Sequence, residues 1–283
     1  MKTRLLILFT RTPLHVGAGS SVGVVDQPII RESHTGFPVI PGSSVKGVFR
    51  DWVRRDGSFG DGSLRDWFGS EPAGAELQAG SLSFGEARLL GFPLRSAKGA
   101  FAMATCPLAL SRFARDLGPG AGAVPAVADD DCLAGQTVTL EGMKVALEEY
   151  VFRSRGPFPS EWAGRLSSLL DDGVLGASRD RWALLSDGDF SHFAKNACPV
   201  QQHVGIDPET GTAKDGALFN TETVPSETLF YAPLAAVRTG GKIAGPEAFF
   251  ERLSAGGIPL QFGGDITTGL GFCAARLLPE KGN

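Results

Sequence analysis

The stretch from Phe37 to Arg55, FPVIPGSSVKGVFRDWVRR, constrains the fold more than any other. It reads as a short apolar run, a Pro-Gly turn, a serine cap and an amphipathic helix. Val45, Val48, Phe49, Trp52 and Val53 recur at helical spacing and give one apolar face. Lys46, Arg50 and Arg54 fall four apart and give a basic stripe on another face. Ser43 and Ser44 stand at the expected N-cap, beside open backbone N–H groups at the positive end of the helix dipole. Such a helix start suits a phosphate. The same residues equally describe a capped surface helix with solvated charges.

At 283 residues the chain reads as one elaborated domain over 1–283. Its 42% apolar and 20% charged residues are those of an ordinary globular protein. No apolar run is long enough to span a bilayer. The apolar core of MKTRLLILFT is short and Arg11 interrupts it, so it reads as a first strand and not as a signal peptide. No membrane partner is expected, and the cytoplasm is the default location. Cys106, Cys132, Cys198 and Cys273 are scattered without a CxxC pair, and His15, His34, His192 and His203 form no close ligand pair. Any metal would be a hard ion held by oxygen. The net charge of −4 argues against a nucleic-acid partner, but its distribution weakens that objection. Residues 1–55 hold eight Lys or Arg against three Asp or Glu, a net +5, leaving −9 on the remainder. A basic first fifth can carry a local phosphate-binding surface.

Further along, periodicity predicts a strand over Arg4–Thr12, a short helix at Leu64–Phe68 and strands at Ser81–Leu90 and Ala100–Thr105. A helix is expected over Pro107–Leu117, with Gly118 as its stop. The loop 118–135, rich in Gly, Ala, Pro and Asp, is expected to be exposed, mobile and variable. Two strand runs are expected around Gly142 within Gln136–Phe152, then a helix over Glu161–Asp172, a strand at Trp182–Leu185 and a helix at Asp187–Ala197. Val200–Tyr231 has the form of a long hairpin around the turn signal DPETGTAKDG. The rest reads as a strand at Phe230–Val237, a helix at Pro246–Leu253 and strands at Ile258–Phe262 and Gly271–Leu278. Interspersed strands and helices without βαβ repeats favour an α+β fold with an antiparallel sheet.

Three constellations carry chemistry. GAGSSVG, Gly17 to Gly23 with Gly19 between, resembles a dinucleotide-binding fingerprint, but VVDQPIIR follows where a helix should start. The alternative is a backbone loop laid close against a large partner. Asp26 follows that loop, either as a turn residue or as an acid set against RNA. In the second case it holds a divalent ion, magnesium, whose other ligands are water and phosphate. It could also orient or deprotonate a 2′-hydroxyl for attack on its own phosphate. His15 and Glu227 are candidate proton-transfer partners. GGDITTGLGF brings Gly263, Gly264, Thr267, Thr268 and Gly269 between two strands, as a strained turn or as a set of N–H and hydroxyl donors for phosphate oxygens.

Four colinear stretches then resemble the RAMP superfamily of CRISPR proteins, in particular the repeated backbone subunit of type III-B (Cmr) RNA-targeting effectors. They are LHVGAGSSVGVVDQPIIRESHTGFPVIPGSSVKGVFR, LSFGEARLLGFPLRSAKGAFAMATCPLALSRFARD, LSDGDFSHFAKNACPVQQHVGIDPETGTAKDGALFNTETVPSETLFYAPL and QFGGDITTGLGF. The resemblance implies a palm with a ferredoxin-like, RRM-like core and insertions, and a projecting β-hairpin thumb within 200–231. It implies copies that stack into a helical filament along a CRISPR guide RNA, with other Cmr complex subunits as partners. It also implies cutting of complementary target RNA at regular intervals. The principal cleavage residue of the family maps onto Asp26. His15 and Glu227 match residues near that site, and Lys46 and Arg50 match the guide-contacting face. RNA would lie in a groove built from several subunits, so one copy need not be basic overall. Two other functions stay open: a non-catalytic guide-binding scaffold of the same architecture, which needs no Asp26, and a nucleotide-cofactor enzyme using GAGSSVG.

Overall fold

The computed structural model describes residues 2–19, 23–59, 62–70, 77–237, 246–256 and 258–279. The chain runs through β1 (Lys2–Thr10), β2 (Val39–Ile40), α1 (Gly42–Asp56), α2 (Ser63–Phe68), β3 (Leu82–Phe84), β4 (Ala87–Arg95) and β5 (Phe101–Thr105). It continues with α3 (Pro107–Leu117), β6 (Asp131–Ala134), β7 (Lys144–Leu147), β8 (Tyr150–Gly156), α4 (Ser160–Ser167), α5 (Gly173–Gly176), β9 (Trp182–Leu185) and α6 (Asp187–Asn196). Last come β10 (Val200–Ile206), β11 (Ala213–Glu222), β12 (Leu229–Ala236), α7 (Glu247–Ser254), β13 (Ile258–Gln261), a 3₁₀ turn (Ile266–Thr268) and β14 (Phe272–Leu277).

One sheet runs β13-β14-β1-β12-β4-β5-β9-β6-β8-β7, with β2 added to β4 and β3 to β12. Only β5–β9 and β6–β8 are parallel pairs among those described. Within it, β1–α1–β4–β12–α7–β14 is a βαββαβ unit with spatial order β14-β1-β12-β4. That is the ferredoxin-like arrangement expected of the palm. The LLILF run of β1 lacks polar alternation because both of its faces are covered. Leu6 and Leu8 lie in one core with Val45 and Phe49 of α1 and Phe249 of α7. Leu5, Ile7 and Phe9 lie in the other with Phe113 of α3 and Trp162 of α4.

Helix α1 buries Val45, Phe49 and Val53, each worth about 1.5–3 kcal/mol when fully removed from water. Phe249 packs on Phe49 and Trp67, both at 5.7 Å between ring centroids, which ties α1, α2 and α7 together. The helix ends at Gly57 with φ +68°, a left-handed C-cap.

Several expectations need correction. Ser43 and Ser44 lie inside the first turn of α1; Pro41 holds the N-cap and no side chain caps it. Gly42 must come first because a Cβ there would sit 2.4 Å from the Phe84 carbonyl oxygen of β3. The strand expected over Ser81–Leu90 is two, broken at Gly85, where a Cβ would meet the Pro233 ring at 2.5 Å. The loop 118–135 ends early, since Asp131–Ala134 form β6 between β8 and β9. Its earlier part is anchored too: Trp162 Nε1 donates to the Ala123 carbonyl at 2.8 Å and Ala121 is buried. The two strands expected around Gly142 turn instead at Glu148 and Glu149, with Glu148 at φ +50°. The helix expected over Glu161–Asp172 stops at Ser167, and Leu169 and Leu170 fill the core beyond it.

The hairpin β10–β11 is a sheet of its own. Its tip is an Asx turn in which Asp207 Oδ1 accepts from the N–H groups of Glu209 (2.8 Å) and Thr210 (3.2 Å). Val200, Val204, Ile206, Leu218 and Phe219 are exposed along it. The thumb therefore projects, and its ladder ends at Glu222, short of the expected Tyr231.

Candidate nucleic-acid interface

The Asp26 loop is laid against β11 at the base of the thumb. Gln27 N–H donates to the Asn220 carbonyl and Glu222 N–H donates to the Gln27 carbonyl, each at 3.0 Å. Thr221 Oγ1 donates to Gln27 Oε1 at 3.0 Å. These bonds seat Asp26 beside the strand, where its Oδ2 accepts from Asn220 N–H at 2.8 Å. The residue is exposed, so the carboxylate is oriented by one oxygen while it faces solvent.

His15 is buried and reaches the same strand two residues on. Its Nδ1 lies 2.7 Å from the Glu222 carbonyl oxygen. A carbonyl only accepts, so Nδ1 carries a proton. The two anchor points on β11 are about 7 Å apart. Gly17 makes room for the ring, since a Cβ there would come within 2.9 Å of Nε2. Gly17 also bridges Ile29 antiparallel, and Gly19 takes φ +94°. Residues 20–22 of the expected glycine loop lie outside the described residues. No helix starts in the described part of the loop, and the sheet has no Rossmann order, so the dinucleotide reading is set aside.

The C-terminal glycine loop joins His15 from the other side. Gly264 N–H donates to the His15 carbonyl at 3.0 Å. A Cβ on Gly263, at φ +76°, would lie 2.0 Å from that carbonyl oxygen, which leaves no room for any side chain. Gln261 Nε2 holds the loop closed on the carbonyls of Phe262, Gly263, Gly264 and Leu270 at 3.1–3.3 Å. Thr268 Oγ1 donates to the Asp265 carbonyl at 2.9 Å, and Thr267 and Thr268 are exposed. Gly269 follows at φ +86°. The loop is both a strained turn and an exposed one.

Glu227 stands apart from this cluster. Its N–H donates to the Thr10 carbonyl at 2.7 Å, and its φ is +62°. The acid joined to the Asp26 loop is Glu222, which sequence reasoning missed. Glu222 Oε2 accepts from Ile29 N–H at 3.0 Å, and Oε1 pairs with Arg31. Arg31 also donates to the carbonyls of Gly36 (2.8 Å) and Ala194 (2.6 Å), tying the loop to the end of α6. The side-chain partners of Glu222 lie 191 and 193 residues away, so only an alignment could have signalled it.

Lys46 and Arg50 are half-buried on α1, with Ser43 exposed and Ser44 half-buried before them. Arg54, the third member of the expected stripe, is paired with Asp51, which also holds Arg55 at 2.6 Å. Among the described residues no three or more His, Cys, Asp or Glu are grouped to hold a metal. Asp26 fits a divalent ion only as a single carboxylate, with water and RNA oxygens as the other ligands. No helix among the described residues is long and apolar enough to cross a membrane.

The model of the RAMP superfamily matches residues 8–274. The CRISPR system Cmr endoribonuclease Cmr4 of Pyrococcus furiosus is 36% identical over 294 residues, covering 100% of this chain and 98% of that protein. The crystal structure of oligomeric Cmr4 from the same organism superposes with a TM-score of 0.77 at 30% identity, over 100% of both chains. A chain of the type III-B Cmr-beta complex bound to cognate target RNA shares the fold, with a TM-score of 0.75 at 17% identity over 98% of this chain and 97% of that one.

Proposed function

This chain belongs to the RAMP superfamily, and from that premise we propose that it is a backbone subunit of a type III-B CRISPR effector that binds guide RNA, stacks with further copies of itself and other Cmr complex subunits, and cleaves complementary target RNA. The observation that carries the enzymatic half is the seating of Asp26: an exposed carboxylate oriented through one oxygen by a backbone N–H of the thumb strand. A scaffold without cleavage would not need it.

In this reading, the free Asp26 oxygen takes the proton of a target 2′-hydroxyl. The O2′–P bond forms, the P–O5′ bond breaks, and the 5′-oxygen takes a proton from water, leaving a 2′,3′-cyclic phosphate and a 5′-hydroxyl. His15 is the second candidate proton-handling group, and Glu227, which stands apart from the Asp26 loop, is the third. Alternatively, a divalent ion, magnesium, held by Asp26 in place of that proton, would supply charge neutralisation at the scissile phosphate. Guide phosphates meet Lys46 and Arg50 and the uncapped first turn of α1 at Ser43 and Ser44. The backbone at Gly17, Gly19, Gly263 and Gly264, with Thr267, Thr268 and Gly269, lies close to the RNA chain.

Asp26→Asn keeps an oxygen for the Asn220 N–H and removes the base. The assembled effector should retain guide RNA and lose about 10²–10⁴-fold in target cleavage rate. Cutting of a complementary RNA at wild-type rate would refute the assignment. EDTA treatment of the wild type, with cleavage followed before and after magnesium is restored, checks the ion separately.

A further inference from the structure

Beside the thumb base, on the palm side of Glu227, lies a hollow of about 560 Å³. It is framed by β4 and β5, the β7–β8 turn, the end of α6 and the Pro225–Glu227 turn. Its size falls within the roughly 300–1,000 Å³ of small-ligand sites. Tyr150 and His192 form its aromatic wall, 5.2 Å apart between ring centroids at 76°, with Phe193 edge-on to both. Tyr150 is 47% exposed, and a second hollow of about 270 Å³ opens beyond the same two rings. Exposed rings between two hollows present stacking faces that the core does not use.

The charges on the walls decide what enters. Arg95 is the one Lys or Arg among the described lining residues, and it is engaged by Glu148 (2.5 Å) and Glu149 (2.9 Å). A phosphate therefore finds no cation to receive it. Glu227 and Glu149 are acceptors of the kind that read the exocyclic amino group of a base. Two wall residues, Glu148 and Glu227, are non-glycines held at φ +50° and +62°. Such placements persist where the surroundings over-determine them, and they cluster at functional sites. Four residues separate Asn220, which holds Asp26, from Pro225 on the wall, a span of at most about 18 Å. The hollow therefore lies within reach of a few nucleotides from an RNA engaged at Asp26.

We propose that this hollow binds an unpaired nucleobase of the RNA, stacked on Tyr150 with the His192 ring edge-on beside it, with the phosphate left outside. The proposal rests on the RNA-cleaving reading above. A base with an amino group suits the carboxylates, so uracil should bind worst.

Both rings are exposed, so Tyr150→Ala/His192→Ala should fold and assemble. The test uses the complete effector and a series of target RNAs with one abasic nucleotide each, measured for affinity at fixed salt. Guide retention and cleavage by the wild type come first; their absence would overturn the parent reading and this one with it. Where they hold, the wild type should lose roughly tenfold in affinity at one abasic position per repeat. The double variant should lose the same factor on intact RNA and be indifferent to that abasic position. Wild-type affinity in the double variant, or abasic losses identical in both proteins, would overturn the proposal. So would a change in the number of copies per assembly, which would assign the hollow to a neighbouring subunit.

Discussion

At the scale of single residues, the site is organised from a distance. Asp26 and His15 stood out in the sequence through resemblance, but what brings them to one place is the backbone of β11, more than 190 residues downstream. Glu222 carried no local signature, because its role consists of contacts to Ile29, Arg31 and His15 that only folding creates. Gly263 was legible as a glycine needing freedom, yet what it must avoid, the His15 carbonyl, was not. Acid dependence is also set at this scale. Arg155 Nε, 2.8 Å from Asp131 Oδ2, holds that carboxyl below the usual carboxylate range, with help from Arg153. A depressed folded value means the stabilisation is present above the unfolded value near 4 and is lost as pH falls through the lower folded one. Asp131→Asn should be less stable than wild type at pH 7 and converge with it in acid. Urea midpoints measured from pH 7 to pH 3 check this; a constant offset would remove the ion pair as the cause.

At the scale of elements, the sequence was clearest where one element makes its own argument. The apolar face of α1 and the turn chemistry of the thumb are local, and both were read from spacing and residue type. Strand β6 was not, because DCLA follows an acidic loop and gains its identity from β8 and β9 on either side. The β7–β8 turn was missed because Glu148 occupies a left-handed position that usually signals glycine. Two predictions belong here. Lys46→Ala/Arg50→Ala should weaken guide retention equally for guides of different sequence and flatten the salt dependence of binding by a slope of up to about 2. Filter binding across a salt series measures it, and an unchanged slope in folded protein would return α1 to a solvated surface helix. Replacing Asp207–Asp215 with a Gly-Ser turn should leave the palm and guide binding intact, since the Asx-turn tip makes its bonds within itself. It should blur the spacing of cuts on a long complementary RNA. The same cut sites at the same rates would leave the tip without a role in spacing.

At the scale of the whole molecule, the ferredoxin-like unit is assembled from widely separated pieces of chain. The first strand, β1, lies between β12 and β14, with Thr10 opposite Cys273 and Lys2 opposite Ala236. On a ribosome adding about 5–20 residues per second, β1 would leave the tunnel and wait roughly 10–50 s for the strand that completes it. Its LLILF run, apolar on both faces, would spend that interval without its full set of strand partners and open to chaperones or to other nascent chains. A chain arrested before Phe272 should remain sensitive to protease throughout, and protection should arrive abruptly once β14 has cleared the exit. Pulse proteolysis of stalled ribosome complexes of increasing length would reveal it, and gradual protection from the first hundred residues onward would contradict it. Birth, for this chain, is timed by β14.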